Sequence, residues 1–235
     1  KCGEYEMPRI EFEGASVSYD DTTVLEPLTV QLEERRIGII GSNGSGKSTT
    51  VRLINGLITP TTGRVLFDGL DPTRDGKAIR KRVGFVFSDA ESQIVMPQVA
   101  DDVAFSLRRF KLPREEVQAR VADVLERFDL ADKATNSPHT LSGGEKQMLA
   151  LASVLVIQPD TVIADEPTTL LDLRNRRRII NELLKLEQQL LVVTHDLEML
   201  EQFDRVLCID DGKLAYDDTP DAAITAYIEM MESKP

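Results

Sequence analysis

An α/β fold with a mostly parallel sheet is what the sequence predicts, on two patterns. Short runs rich in Val, Ile and Leu at 36–40, 83–87, 161–164, 190–193 and 205–209 are continuously apolar. Strands covered by helices on both faces show that character, whereas half-exposed strands alternate. Helical patterns separate these runs. Between Pro113 and Leu130, for instance, Val117, Val121, Val124, Leu125 and Phe128 fall on one face, opposite Glu116, Arg120, Asp123 and Arg127.

Taken in order, residues 9–20 and 24–36 alternate in polarity as an antiparallel sheet does, and 63–71 adds a further strand. The run at 36–40 leads into a glycine-rich turn and a helix opening at about Lys47. From about Ser88 to Asp160 the pattern is mostly helical and reads as an insertion. Residues 208–218 read as a hairpin with Asp211-Gly212 at its turn. A short helix is expected over about 219–232. No linker or repeat divides the chain, so residues 1–235 are expected to form one domain. Its core and β subdomain would span about 8–87 and 161–216, and its helical subdomain about 88–160.

Composition narrows the function. The 40 acids outweigh 28 bases, for a net charge of −12. Duplex nucleic acid is therefore not an expected partner, because phosphate binding calls for a basic surface. The longest apolar run falls far short of the roughly 18 residues of a membrane span, so any membrane role must come through a partner. The opening KCGEYEMPRI lacks the basic end and apolar core of a signal peptide. Cys2 and Cys208 match no metal spacing and are read as one exposed thiol and one buried strand residue in a reducing cytoplasm.

The strongest chemical pattern is strand, then Gly41-Ser42-Asn43-Gly44-Ser45-Gly46-Lys47-Ser48-Thr49, then helix. The glycines let consecutive backbone N–H groups curl around phosphate oxygens. Lys47 reaches the β and γ phosphates, and the Ser48 hydroxyl takes a place on Mg²⁺. At average composition this spacing arises by chance on the order of once in a hundred chains this long. A Gly-rich turn without a ligand is the bland alternative, and the flanking strand and helix count against it.

A second strand ends in Asp165-Glu166. Asp165 is placed to hold the magnesium or its water, and Glu166, one residue on, to polarise an attacking water. Two acids after a strand are otherwise a solvated loop. His195 closes LLVVTHD. A lone His at a strand end is either structural or, at the carboxyl edge of a parallel sheet, turned to the ligand crevice as a donor to the γ phosphate.

Residues 141–155, LSGGEKQMLALASVL, hold Ser142 as N-cap, Glu145 at the capping-box position, and Gly143 and Gly144 at a helix start. That is a second anion site, and it resembles the signature of ATP-binding cassette (ABC) ATPases. The resemblance runs from about Ile10 to Ala215. It implies a P-loop NTPase with a RecA-like, mostly parallel core, an antiparallel β subdomain and an inserted α-helical signature subdomain. It also implies ATP and Mg²⁺ as cofactors, and a head-to-tail homodimer with ATP between the cradle of one subunit and the signature of the other. By the same resemblance Tyr19 stacks on adenine, Leu170 to Asp172 form the D-loop that reaches the nucleotide site, Glu166 is the catalytic base and His195 the switch histidine.

One departure stands out. Ser88 occupies the place where the family carries a glutamine that touches Mg²⁺ and the attacking water. A serine keeps an oxygen ligand but loses reach, and Gln93 lies outside the strand end. The stretch SDAESQIVMPQVADDVAF is similar to the energy-coupling factor (ECF) subgroup of importers. That subgroup implies a transmembrane coupling protein and a substrate-binding membrane protein as partners, and a place on the cytoplasmic face of the cell membrane. The solute would be biotin, cobalt or nickel, with biotin the working choice. The alternatives are a soluble, non-transport ABC ATPase and a P-loop kinase, the latter opposed by the second anion site.

Overall fold

The computed structural model describes residues 7–169 and 171–233. Cys2 and Leu170 lie outside them. In chain order the elements are β1 (Ile10–Tyr19), β2 (Thr22–Leu32), β3 (Arg36–Ile40), α1 (Lys47–Ile54), β4 (Thr62–Phe67), α2 (Pro72–Arg82) and β5 (Val83–Val86). Only helices follow for a long stretch: α3 (Val99–Leu107), α4 (Arg114–Arg127) and α5 (Gly143–Leu155), joined by short 3-10 turns. Next come β6 (Thr161–Asp165), α6 (Leu173–Leu184), β7 (Gln189–Val193), α7 (Leu197–Leu200), β8 (Arg205–Asp210), β9 (Lys213–Asp218) and α8 (Pro220–Ser233).

Strands β2, β1 and β4 form an antiparallel sheet in that order, as their alternation predicts. The second sheet has the order β5-β6-β7-β3-β8-β9. Its first five strands are parallel and β9 is antiparallel to β8. All residues of β5, β6 and β7 are buried, which accounts for their unbroken apolar character. Successive side chains feed two cores. Ile37, Ile39, Leu191 and Val193 point into one, and Ile40, Leu190, Val192 and Ala164 into the other. Each Val, Leu or Ile among them contributes about 1.5–3 kcal/mol on burial. Gly38 permits close helix packing on β3, since a Cβ there would sit 2.5 Å from Leu200 Cδ2 of α7.

The amphipathic helix over Pro113–Leu130 is α4. Val121, Val124, Leu125 and Phe128 are buried, while Arg120 donates to Glu116 at 2.6 Å on the wetter face. The late hairpin turns at Asp211 and Gly212, both with positive φ (45° and 75°), the geometry of a tight two-residue turn. Cys208 is buried in β8. Strand β5 ends one residue short of the expected 83–87. The Gln93 carboxamide takes the place of a neighbouring strand there, accepting from Phe87 N at 3.1 Å and donating to Phe85 O at 3.0 Å.

This topology brings the chemistry to one edge. Asp165 pairs in register with Val193, Val193 with Ile39, and Ile40 with Cys208. The residues that leave these strands, Gly41, Glu166 and Thr194, therefore start side by side at the carboxyl ends, where open α/β sheets bind ligands.

Candidate active site

After β3 the chain wraps into the predicted cradle. Gly41 has φ 150°, and a Cβ on it would lie 1.9 Å from Ile209 O. Gly46 has φ 102°, with a Cβ position 2.8 Å from Val24 O. Neither position admits a side chain, so the loop is drawn against its backing. Gly44 faces open space. Gly46 gives α1 no side-chain cap, which leaves first-turn N–H groups free for an anion. Ser45 Oγ is buried without a hydrogen-bond partner. Glycine where a Cβ would collide, free N–H groups and an unpartnered hydroxyl together fit a polyphosphate. Lys47 lies buried across the loop, with Nζ donating to Gly41 O at 2.9 Å and Ser42 O at 2.7 Å. Burial pushes its pKa down, opposed by the carboxylates of Glu166 and Asp165. A phosphate arriving in the cradle offers this ammonium a stronger partner than two carbonyls.

Ser48 Oγ, in the first turn of α1, donates to Asp165 Oδ1 at 2.7 Å, and Arg52 Nη2 reaches Asp165 Oδ2 at 3.1 Å. Asp165 is almost wholly buried at the end of β6. A hydroxyl and a carboxylate converging beside a phosphate cradle are hard oxygen donors of the kind Mg²⁺ takes. Glu166 follows in the left-handed region (φ 53°), its N–H tied to Val193 O at 2.8 Å. That conformation costs a non-glycine residue on the order of 1–2 kcal/mol. It turns the Glu166 side chain to His195, whose Nδ1 lies 2.8 Å from Glu166 Oε2 without hydrogen-bond alignment. The His195 side chain is 69% exposed, open to an incoming ligand.

The helix start at 142–145 has the capping box that its spacing predicts. Ser142 and Glu145 form a complete capping box at the start of α5: Ser142 N donates to Glu145 Oε2 at 2.8 Å, and Ser142 Oγ accepts from Glu145 N at 3.4 Å. Lys133 pairs with the Glu145 carboxylate, and this ion pair with the Ser142 bonds lowers its pKa to about 2. Gly143 is open, whereas a Cβ on Gly144 would lie 2.3 Å from Asn175 Cγ. Among the described residues no hydrogen bond or ion pair joins 142–145 to the cradle.

The family model described as "ABC transporter" matches residues 25–169, from β2 through both Asp165 and the 142–145 helix start. The chain belongs to the ABC transporter family. A putative ABC transporter ATP-binding protein of Deinococcus radiodurans is 51% identical over 94% of this chain and 98% of its own length. The biotin transport ATP-binding protein BioM of Rhizobium etli is 48% identical over 94% and 98%. An energy-coupling factor transporter ATP-binding protein, EcfA, of Methanothermobacter thermautotrophicus is 38% identical over 90% of this chain and 71% of its own length. Among solved structures, cbiO1 of Clostridium perfringens, part of the ABC transporter complex cbiONQ, superposes with a TM-score of 0.81 at 30% identity, over 94% of this chain and 93% of that one. As a member of this family the chain is an ATP-binding ATPase.

The remaining ABC positions divide. Tyr19 is 53% exposed at the end of β1. The following strand brings Val24 against the cradle. Asp172 caps α6, accepting from Asn175 N at 2.8 Å and Asn175 Nδ2 at 2.9 Å. Ser88 is exposed, two residues past β5, and makes no hydrogen bond with the described residues. Gln93 has both ends of its carboxamide bonded to the backbone at the end of β5, at Phe87 N and Phe85 O.

Sequence reasoning missed four polar residues that the fold recruits. Arg52 meets Asp165, and Gln147 Nε2 meets Phe87 O at 3.3 Å. Arg176 meets Asp196 across two elements. Asp102 is buried at the start of α3, accepting from Val95 N at 2.8 Å, Met96 N at 2.9 Å and Ser153 Oγ at 3.3 Å. A paired acid, Asp101-Asp102, beside an apolar helix face was the only local signal.

Proposed function

We propose that this chain is the ATP-hydrolysing subunit of an ECF-type importer. It works as a homodimer on the cytoplasmic face of the membrane, with a transmembrane coupling protein and a substrate-binding membrane protein. Biotin is the solute we assign. The observation that carries the transport reading is a groove outside the nucleotide site, lined by Leu57, Phe85, Phe87, Val95, Phe105 and Val154. Leu57, Val95 and Phe105 are 46%, 61% and 42% exposed. Clustered large apolar side chains on a highly charged protein mark an interaction surface. No helix among the described residues is long and apolar enough to cross a membrane, so the chain reaches its lipid-embedded partners through such a surface. The biotin assignment rests on similarity to the Rhizobium etli protein.

The residues support ATP hydrolysis in definite roles. Glycines 41, 44 and 46 and the α1 N-terminus bind the phosphates, with Lys47 on the β and γ groups and Tyr19 against the base. Ser48 and Asp165 would hold Mg²⁺, which neutralises phosphate charge when bound. The Ser88 hydroxyl, free of protein partners, is available to a water of that ion. Glu166 orients the attacking water and accepts its proton, and His195 donates to the γ phosphate. Among the described residues the cradle and the 142–145 site have no bond between them. Each is half of an ATP site, and a second copy placed head to tail completes both, with Asp172 at the seam.

A tagged Glu166→Gln variant, purified in mild detergent from membranes of the native host with ATP, tests the proposal. The expected result is two co-purifying membrane proteins, one with biotin bound, and an ATP-loaded dimer without turnover. Recovery with soluble partners alone refutes the importer, and another bound solute refutes biotin.

A further inference from the structure

His195 is exposed, yet the residues on either side of it are not. Thr194 is fully buried, and its N–H donates to Ile39 O at 3.1 Å. Asp196 is 5% exposed, and its N–H donates to Thr194 Oγ1 at 3.0 Å. The imidazole is thus carried on a short anchored turn. Asp196 stands at the N-cap of α7, where an aspartate ordinarily accepts from its own helix, but it makes no such cap bond. Its carboxylate turns instead to α6. Arg176 Nε and Nη2 face Asp196 Oδ2 at 2.9 and 2.6 Å. Arg176 lies in the turn capped by Asp172, with its N–H donating to Asp172 O at 2.8 Å. Asn175, beside it, fills the space under Gly144 of α5.

We propose that Arg176 is a positioning residue: by clamping Asp196 it fixes the 194–196 turn and holds the His195 imidazole against Glu166. This rests on the reading that Glu166 and His195 act on the terminal phosphate of ATP. A buried carboxylate that gives up its own helix cap needs another strong partner, and a guanidinium from a separate element supplies one and dictates where the turn sits. The clamp also makes His195 dependent on α6, the helix whose first turn touches the signature glycine.

The test uses the full chain and three readouts. With only two histidines in the sequence, a His139→Gln background leaves one imidazole, so ring NMR signals belong to His195. In that background Arg176→Met is expected to move the His195 ring resonances. Separately, Arg176→Met is expected to lower the single-turnover ATP hydrolysis rate at least about tenfold, with ATP affinity kept within about twofold. Arg176→Lys, which keeps the charge with one nitrogen, is expected to recover most of that rate. In a His195→Ala background the same Arg176→Met change is expected to cost less than about twofold further, because residues that act as one unit are not additive.

An Arg176→Met/Asp196→Asn double variant removes both charges and folds without an unpaired buried carboxylate. It is expected to remain slow. Unmoved His195 resonances in Arg176→Met, multiplicative losses in the His195→Ala background, or full activity in the double variant each overturn the proposal. Full activity of His195→Ala itself overturns the underlying site reading instead, which separates the two failures.

Discussion

Replacing Asp102 with alanine isolates the support behind the apolar groove from the nucleotide site. The carboxylate accepts two backbone N–H groups, Val95 at 2.8 Å and Met96 at 2.9 Å, and a longer bond from Ser153 Oγ at 3.3 Å. Hydrogen bonds to a charged group contribute about 1.5–3 kcal/mol each when nothing replaces them. Val95 is exposed, so its segment recovers water, and each of the two backbone bonds is reduced to about 1 kcal/mol. With the weak third bond and the volume lost beside α5, Asp102→Ala should cost about 2–3 kcal/mol, a fall in Tm of roughly 5–10 °C for a chain this long. Asp102→Asn keeps one acceptor oxygen for the backbone and offers Ser153 a donor, so about 1 kcal/mol is expected. Urea unfolding of both variants, with ATP affinity measured alongside, checks the values. ATP affinity should hold within about twofold, since Asp102 touches nothing in the cradle. An Asp102→Ala variant as stable as the parent, or one that loses ATP while staying folded, refutes this account of the 94–96 segment.

Lys47→Ala should abolish measurable ATP binding in an equilibrium assay, and normal affinity overturns the reading of the cradle. Gly41→Ala places a Cβ 1.9 Å from Ile209 O. It should lower stability by at least about 1 kcal/mol and weaken ATP at least about tenfold; a silent substitution shows that the loop does not need its close approach to β8. The Glu145 pKa is lowered to about 2 from an ordinary 4.5 by Lys133 and Ser142. A depressed carboxyl pKa stabilises the fold fully above the unfolded value, and that contribution is lost as pH falls from about 4.5 towards about 2. Glu145→Gln should therefore melt below the parent at neutral pH, with the gap narrowing as the solution is acidified below about 4.5. A pH-independent gap removes the ion pair from the explanation.

Much of this molecule is legible in its sequence because the relevant physics is local. The strands at 36–40 and 205–209 announce themselves by unbroken burial, and Ser142 with Glu145 by the spacing of a capping box. The cradle follows from glycines that let N–H groups converge. What stays hidden depends on elements distant in the chain. Nothing near Arg176 indicates that its partner is Asp196, since the pair forms only once α6 and α7 pack on the sheet. Gln93 lies outside the strand end in sequence yet completes it in space, through a side chain imitating a backbone edge. Arg52, in the last turn of α1, meets Asp165 only because α1 packs beside β6. For Ser88, a departure was visible at once, but its replacement chemistry is not written in neighbouring residues.

The position of β3 has a consequence for how the chain comes into being. This strand precedes the phosphate loop by no residues at all, yet its two neighbours in the sheet, β7 and β8, are translated near the end. The loop itself leans on Ile209 O, and Gly212 bonds to both Ser45 O and Glu26 N through its own N–H and carbonyl. A nascent polypeptide that has only just exposed residues 41–48 thus still lacks the wall against which they curl. The wall behind the loop is therefore complete only once the β8–β9 turn has been made and the sheet has closed around β3.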